Sequence, residues 1–435
     1  MKRYIVCIVL LSLILSLFSC AAGPDNDTTS FIRSDTYAIW GNWVFGGNKY
    51  FDMNTGELSY VCGDPLCSHN DEKCPAYGLV SADFRVIPNG TENKAPVIYY
   101  NTQLNRIENG TLIKEYRFEQ YDMAANTRKQ LCQTESVITT NWAYDGEENA
   151  IYYTQWVDDG NGGTTNAYCK LDINSGRSTT IATSKLLNPI TAKSGTTLYL
   201  SSSVDNLIYT IDLTEKQSEP KPTDLHGVVC GKFLYYTETT NTYTVTPPPE
   251  LDLTKLSDTS NASYSRSVED VYRVPLNTPY DTPELVVSGI CGNDGYRISG
   301  KYMYAQICAP AYIGSYYTTN KKGQVYDLDE AGIPENVYLI NIYSTSSGVF
   351  SVTELDTLKS KTVTIEEIDM SAPLMITDNA ILGSGSTYNK KYIMNYVHDN
   401  ELNGRSFIYG TWYITYDENG KLRQEDSVRI DWNKN

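Results

Sequence analysis

From Asp35 onward the chain is written in short apolar runs rich in Tyr, Val, Ile, Thr and Trp, punctuated by Asn, Asp and Gly. That rhythm belongs to β-strands joined by tight turns. A helix would repeat its apolar residues every three or four positions, and no long stretch does so convincingly. Two kinds of run alternate. One is a turn leading into a strand with large residues: Gly41-Asn42-Trp43-Val44-Phe45, Val97-Ile98-Tyr99-Tyr100, Ala150-Ile151-Tyr152-Tyr153, Gly195-Thr196-Thr197-Leu198-Tyr199, Gly231-Lys232-Phe233-Leu234-Tyr235-Tyr236 and Gly300-Lys301-Tyr302-Met303-Tyr304, with a degenerate copy at Asp378-Asn379-Ala380-Ile381-Leu382. The other runs into an acidic or glycine turn, as in Tyr50-Phe51-Asp52-Met53-Asn54, Leu171-Asp172-Ile173-Asn174 and Tyr209-Thr210-Ile211-Asp212. Weaker copies lie at Tyr121-Asp122-Met123, Val271–Leu276, Val337–Ile342 and Trp412–Asp417.

Each kind occurs seven times, and the first kind recurs on average every ~56 residues between positions 43 and 381. A four-stranded blade with its loops takes roughly 40–50 residues, so insertions fill the difference. A small sheet has two apolar faces and cannot bury them alone; stacking such sheets radially does so. The fold expected is all-β: a single β-propeller over residues 35–435, with seven blades of four-stranded antiparallel sheet and six or eight as the neighbouring counts. Two stretches break the rhythm, 241–269 with Pro247-Pro248-Pro249, and 310–336 with Tyr312, Tyr316 and Tyr317 beside Lys321 and Lys322. Long insertions in repeat proteins gather on one face, often the binding face.

Composition sharpens this picture in two places. Tyrosine is present 36 times against 9 phenylalanines. It suits a pleated, half-buried surface and also offers a polar handle to ligands, with strand building the stronger cause. Lys plus Arg is 35 and Asp plus Glu 52, a net charge of -17 over 435 residues. That surplus repels phosphate and excludes nucleic acid as a partner.

The first residues bear on location. Lys2 and Arg3 precede an apolar run from Tyr4 to Phe18, the length of a signal-peptide core and short for a membrane span. The run ends in Leu17-Phe18-Ser19-Cys20, which resembles a bacterial lipobox. Residues 1–19 then form a lipoprotein signal peptide, and Cys20 becomes the lipidated N-terminus. The Gly-, Pro-, Asp-, Asn-, Thr- and Ser-containing residues up to 34 form a flexible tether. The location implied is the extracytoplasmic face of a bacterial membrane, held through lipid.

The densest chemistry is Cys62-Gly63-Asp64-Pro65-Leu66-Cys67-Ser68-His69-Asn70-Asp71-Glu72-Lys73-Cys74. Cys62, Cys67, His69 and Cys74 supply three thiolates and an imidazole, a complete tetrahedral set for structural zinc. Their spacing is not that of a standard zinc knuckle. Three readings stand beside each other here: a structural zinc site, a disulfide, which an exported location permits, and unpaired thiols. Neither of the first two is an active site, since catalysis needs an open metal position.

The alternating Gly-x-x-Ile-Tyr-Tyr-like and Tyr-x-Ile-Asp-like strands resemble the propeller repeats of secreted bacterial proteins in the TolB-like and DUF5050-like group. The cysteine segment resembles a Cys-x-Asp-Pro-x-Cys-x-His-x(4)-Cys stretch found in propeller lipoproteins of uncharacterised function. The resemblance implies a propeller that binds proteins, peptides or sugars, and some such propellers are enzymes; the fold does not choose between these. Gly-x-Ser-x-Gly, P-loop, dinucleotide and HExxH patterns are absent from the sequence. His226 near Asp224 and His398 beside Asp399 read as structural pairs, and Asp158–Gly163 reads as a hairpin turn although it resembles part of a calcium loop. The leading expectation is a non-catalytic envelope protein that binds a protein, peptide or glycan. The alternatives are a carbohydrate-active enzyme using two channel carboxylates, and a structural assembly factor of the envelope.

Overall fold

The computed structural model describes residues 31–33, 37–81, 83–87, 95–108, 111–202, 204–215, 219–245, 264–292, 295–313, 317–320, 325–327, 337–340, 344–364, 368–376, 380–387, 408–415, 428–430 and 432. Residues 1–30, with Cys20, lie outside these, as do His398 and Pro247-Pro248-Pro249. The fold class is all-β, as the strand rhythm requires, built from four-stranded antiparallel meanders of the blade type. Among the described residues the one helical element is the short 3-10 turn Tyr77–Ser81, and no helix is long and apolar enough to cross a membrane.

Seven four-strand runs follow one another along the described chain. The first comprises Tyr37–Trp40, Trp43–Gly46, Lys49–Asp52 and Glu57–Tyr60; the second Phe84–Ile87, Val97–Glu108, Thr111–Asp122 and Thr127–Thr134; the third Ile138–Asp145, Ala150–Asp158, Thr164–Asp172 and Ser178–Ser184. The glycine that opens so many repeats is the first residue of a two-residue turn between the first and second strands. Gly41, Gly195, Gly231 and Gly300 hold φ of 56°, 57°, 56° and 54°, while the residue after each is not among those with positive φ. A turn with positive φ at its first position alone matches the twist of the strands it joins and demands glycine there.

Two compact units meet in sequence between Ile181 and Ala182. In the first, strand Val97–Glu108 spends both of its faces. Val97 and Tyr99 enter a core with Phe118, Trp142, Ile151, Tyr153 and Leu171. Ile98 and Tyr100 enter another with Ala38, Phe45, Val61, Cys62, Cys74, Leu79 and Tyr121. The period-2 alternation of a strand therefore glues the second sheet to the third on one side and to the first on the other. Many tyrosines are core residues: Tyr100, Tyr121, Tyr152, Tyr153, Tyr168 and Tyr235 are fully buried. The short triplet Phe31–Arg33, inside the stretch read as tether, pairs with Ile138–Asp145, placing Phe31 opposite Asp145.

The second unit holds Ile190–Ser194 to Lys221–His226 as one four-stranded sheet and Ile368–Ile376 to Val428–Ile430 as another. Between them, Val228–Cys230, Phe233–Val245, Tyr264–Pro275 and Glu284–Cys291 join Tyr302–Ile313, Ser344–Glu354 and Lys359–Thr364 in one continuous sheet. Buried Arg273 ties this region together. It bonds Glu284 at 2.8 Å, donates to the Leu355 carbonyl, and lies 4.3 Å from the Phe233 ring centre. Both predicted insertions fall between a second and a third strand. Of 241–269, the two ends continue the long hairpin to the pair Val245↔Tyr264. In the other, Tyr317–Asn320 and Val325–Asp327 form a small three-stranded sheet with Val337–Ile340. Val337–Ile342, read as a blade strand, therefore does not supply the third strand of its run; Ser344–Glu354 does.

Trp142 is 1% exposed, packs edge-on to Phe118 with ring centres 5.6 Å apart, and donates its indole N–H to Asn101 at 3.2 Å. Trp142→Ala is expected to destabilise the first unit by about 3–5 kcal/mol. Urea denaturation followed by tryptophan fluorescence and far-ultraviolet circular dichroism measures this.

Candidate metal centre

The cysteine cluster sits where the chain leaves the last strand of the first sheet, Glu57–Tyr60, and crosses to Phe84–Ile87 of the second. Two similar turns build it. Asp64 accepts the Leu66 N–H at 2.9 Å through its carboxylate and the Cys67 N–H at 3.2 Å through its carbonyl. Asp71 does the same for Lys73, at 2.9 Å, and Cys74, at 3.0 Å. Each Asp-x-x-Cys unit is thus an aspartate-nucleated turn that presents a cysteine at its fourth residue. Between them His69 adopts φ of 58°, an uncommon left-handed backbone for a residue with a side chain. Its ring stacks on Tyr60, with centroids 4.0 Å apart and planes at 17°.

The result gathers all four predicted residues. One donor atom from each of Cys62, Cys67, His69 and Cys74 lies within 4.8 Å of every other. Nδ1 of His69 is 3.8 Å from Sγ of Cys74. Sulfur and nitrogen bound to one tetrahedral zinc sit about 3.6 Å apart, from bond lengths of about 2.3 and 2.0–2.1 Å. The donor set and the spacing fit Zn(II) without rearrangement of the strands. Cys62 and Cys74 are 4% and 1% exposed, whereas Cys67 and His69 are half-buried. Burial pushes the Cys74 thiol up to about 12, the neighbouring Cys67 and Cys62 add to the rise, and a backbone bond at Ala76 opposes it. A buried thiol of that kind ionises when a cation is at hand to accept its charge.

The second sheet grips this crossover through its backbone. The Tyr121 hydroxyl lies 3.1 Å from the Val61 carbonyl and 2.6 Å from Oδ1 of Asn126. Arg128 donates to the Glu72 carbonyl at 3.2 Å, and its Nε is 3.9 Å from the buried Glu119 carboxylate. The paired Asp-x-x-Cys turns, seven residues apart, were readable in the sequence as a repeat. The clamp by Tyr121 and Arg128 was not, because those residues lie some fifty to sixty positions downstream.

Cys62, Cys67, Cys74, Cys132 and Cys169 are free thiols in this structure. Of the histidine pairs, Asp224 is turned away from a catalytic part: its carboxylate accepts the Tyr280 hydroxyl at 2.7 and 2.8 Å, and His226 Nδ1 faces the Asn206 carbonyl at 3.3 Å. The Asp158–Gly163 segment is the hairpin turn read from the sequence. Asp158 and Asp159 cap Gly160, Asn161 and Gly163 N–H groups at 2.7–2.9 Å.

No protein-family profile matches the chain, and no curated protein does. Among solved structures, an uncharacterised protein from Listeria monocytogenes is similar at 10% identity, over 77% of this chain and 79% of that one, with a TM-score of 0.39. An oligogalacturonate lyase from Vibrio parahaemolyticus gives 11% identity, 81% and 87% coverage, and 0.38. The β-propeller domain of the Trilobed protease from Pyrococcus furiosus gives 10% identity, 81% and 97% coverage, and 0.31. Likeness at this level transfers no activity to this chain.

Proposed function

We propose that the chain is a lipid-anchored, extracytoplasmic protein of a bacterial envelope, a single propeller over residues 35–435 that binds a protein, peptide or glycan without catalysis. Its Cys62–Cys67–His69–Cys74 cluster holds structural Zn(II). The observation that carries the metal reading is the convergence of the four donor atoms within 4.8 Å at the crossover between the first two sheets. With all four positions taken by protein, the ion has no open site for substrate, and its contribution is to folding. Cys62 and Cys74 would hold it from the buried side, and Cys67 and His69 from the half-buried side.

The binding reading rests on the hairpins between second and third strands. In the second sheet the first strand pairs only as far as Tyr100 and the fourth only as far as Tyr116. Beyond them the hairpin runs on as a two-stranded ribbon to Glu108↔Thr111. Near its tip the cross-strand pair Ile107 and Leu112 is 76% and 56% exposed. Trp156, on the equivalent hairpin of the third sheet, is 46% exposed. An exposed cross-strand apolar pair at a ribbon tip offers surface that a partner could cover.

Three outcomes check these statements. Elemental analysis of the chain purified under reducing conditions is expected to give about one zinc per chain, lost in Cys67→Ala and His69→Ala; background metal in the unmodified chain would refute the site. Labelling with a radioactive fatty acid in a bacterial host is expected for the native chain and absent for Cys20→Ala; equal labelling would refute the anchor. On arrays of envelope glycans and proteins, the double variant Ile107→Asp, Leu112→Asp is expected to lose at least tenfold in affinity for whatever the native chain retains. Unchanged binding would remove the ribbon from the binding face.

A further inference from the structure

We propose that the cluster is also a thiol–disulfide switch, in which oxidation of Cys67 with a second cluster cysteine expels the metal; this rests on the zinc reading above. The geometry has three parts. The sulfurs of Cys62, Cys67 and Cys74 already lie within 4.8 Å of one another, so a closure of about 2–3 Å brings two of them to the roughly 2.05 Å of a disulfide. Cys67 is half-buried while Cys62 and Cys74 are buried, so a small oxidant reaches Cys67 first. The Cys67 and Cys74 N–H groups close local turns on Asp64 and Asp71, while the second sheet holds the neighbouring Val61 and Glu72 carbonyls through Tyr121 and Arg128; the cysteines lie in the crossover between strands, so two of them can close on each other without opening a sheet.

The chemistry balances with a disulfide-bearing oxidant of the glutathione class. The Cys67 thiolate attacks one oxidant sulfur and releases one reduced thiolate, leaving a mixed disulfide. A second cluster thiolate, from Cys62 or Cys74, attacks the Cys67 sulfur and releases the other. Two protein thiolates lose two electrons, the oxidant gains them, and the ion loses two of its four ligands. One thiolate and His69 then remain, too few for a closed tetrahedral site. The crossover between the first two sheets exchanges a four-point metal cross-link for a single disulfide as the metal leaves. Cys169, 1% exposed in the core of the third sheet, has no such access and serves as an internal reference.

The test uses the zinc-loaded full chain, treated with oxidised glutathione while a chromogenic chelator reports free zinc and peptide mapping reports thiols. The expected result is one zinc released for about two thiols lost, a disulfide located within residues 62–74, and full recovery with dithiothreitol and added zinc. Cys169→Ser is expected to leave the release unchanged. Zinc that stays bound through the treatment, or zinc that leaves with all three cluster thiols still reduced, overturns the switch alone. A reduced chain that binds no zinc at all overturns the zinc reading and the switch with it.

Discussion

A small sheet with two apolar faces depends for its stability on what covers each of them. The second sheet shows the rule met on both sides, with Val97 and Tyr99 against the third sheet and Ile98 and Tyr100 against the first. The first sheet meets it with little material. Its strands are four residues each, and its fully buried contribution to the shared core is Ala38 and Phe45. The crossover supplies Val61, Cys62, Cys74, Ala76 and Leu79 to the same core. A loop is thereby asked to act as packing surface. Loops are poor at this, because their backbone needs partners and their conformational entropy is high. Two aspartate turns, the Tyr121 and Arg128 bonds to loop carbonyls, and four converging metal donors answer that demand at one place.

This explains why three cysteines and a histidine are concentrated here and nowhere else among the described residues. Elsewhere the cores close with ordinary side chains. Phe118 packs edge-on against both Trp142 and Tyr153, at 5.6 and 4.9 Å between ring centres. Tyrosine serves where a strand meets a wetter edge: Tyr152 donates to Glu148 at 2.7 Å and the Tyr153 hydroxyl meets Ser178 at 2.8 Å. Burial pushes the hydroxyls of Tyr99, Tyr100 and Tyr153 upward, further above the physiological range than an exposed tyrosine. The second-to-third-strand hairpins differ in length from run to run, from Trp43–Gly46 with Lys49–Asp52 to Val97–Glu108 with Thr111–Asp122.

Much of the fold was legible because second and third strands carry the large residues. Tyr152-Tyr153 and Leu171-Asp172 announce themselves, and the opening glycines mark turns that no other residue makes as easily. The fourth strands were hidden. Thr127–Thr134 buries only Leu131, and Lys221–His226 buries nothing fully, so neither shows an apolar rhythm. Ser344–Glu354 was masked by its polar start, and the more apolar Val337–Ile340 took its place in the reading. Glu115 and Glu119 are buried carboxylates paired with Arg117 and Arg128, a burial that residue type alone does not announce. The ligand residues of the candidate site were visible from type and spacing, but their mutual geometry depended on turns whose closure only the structure reveals.

X-ray absorption at the zinc edge of the reduced, metal-loaded chain addresses the central claim most directly. A closed staple at the crossover predicts a first shell of three sulfurs at about 2.3 Å and one nitrogen at about 2.0–2.1 Å, without bound water. A shell of five or six oxygen and nitrogen atoms, or fewer than three sulfurs, would contradict it and leave the thin first sheet to be held by packing and the Tyr121 and Arg128 bonds alone.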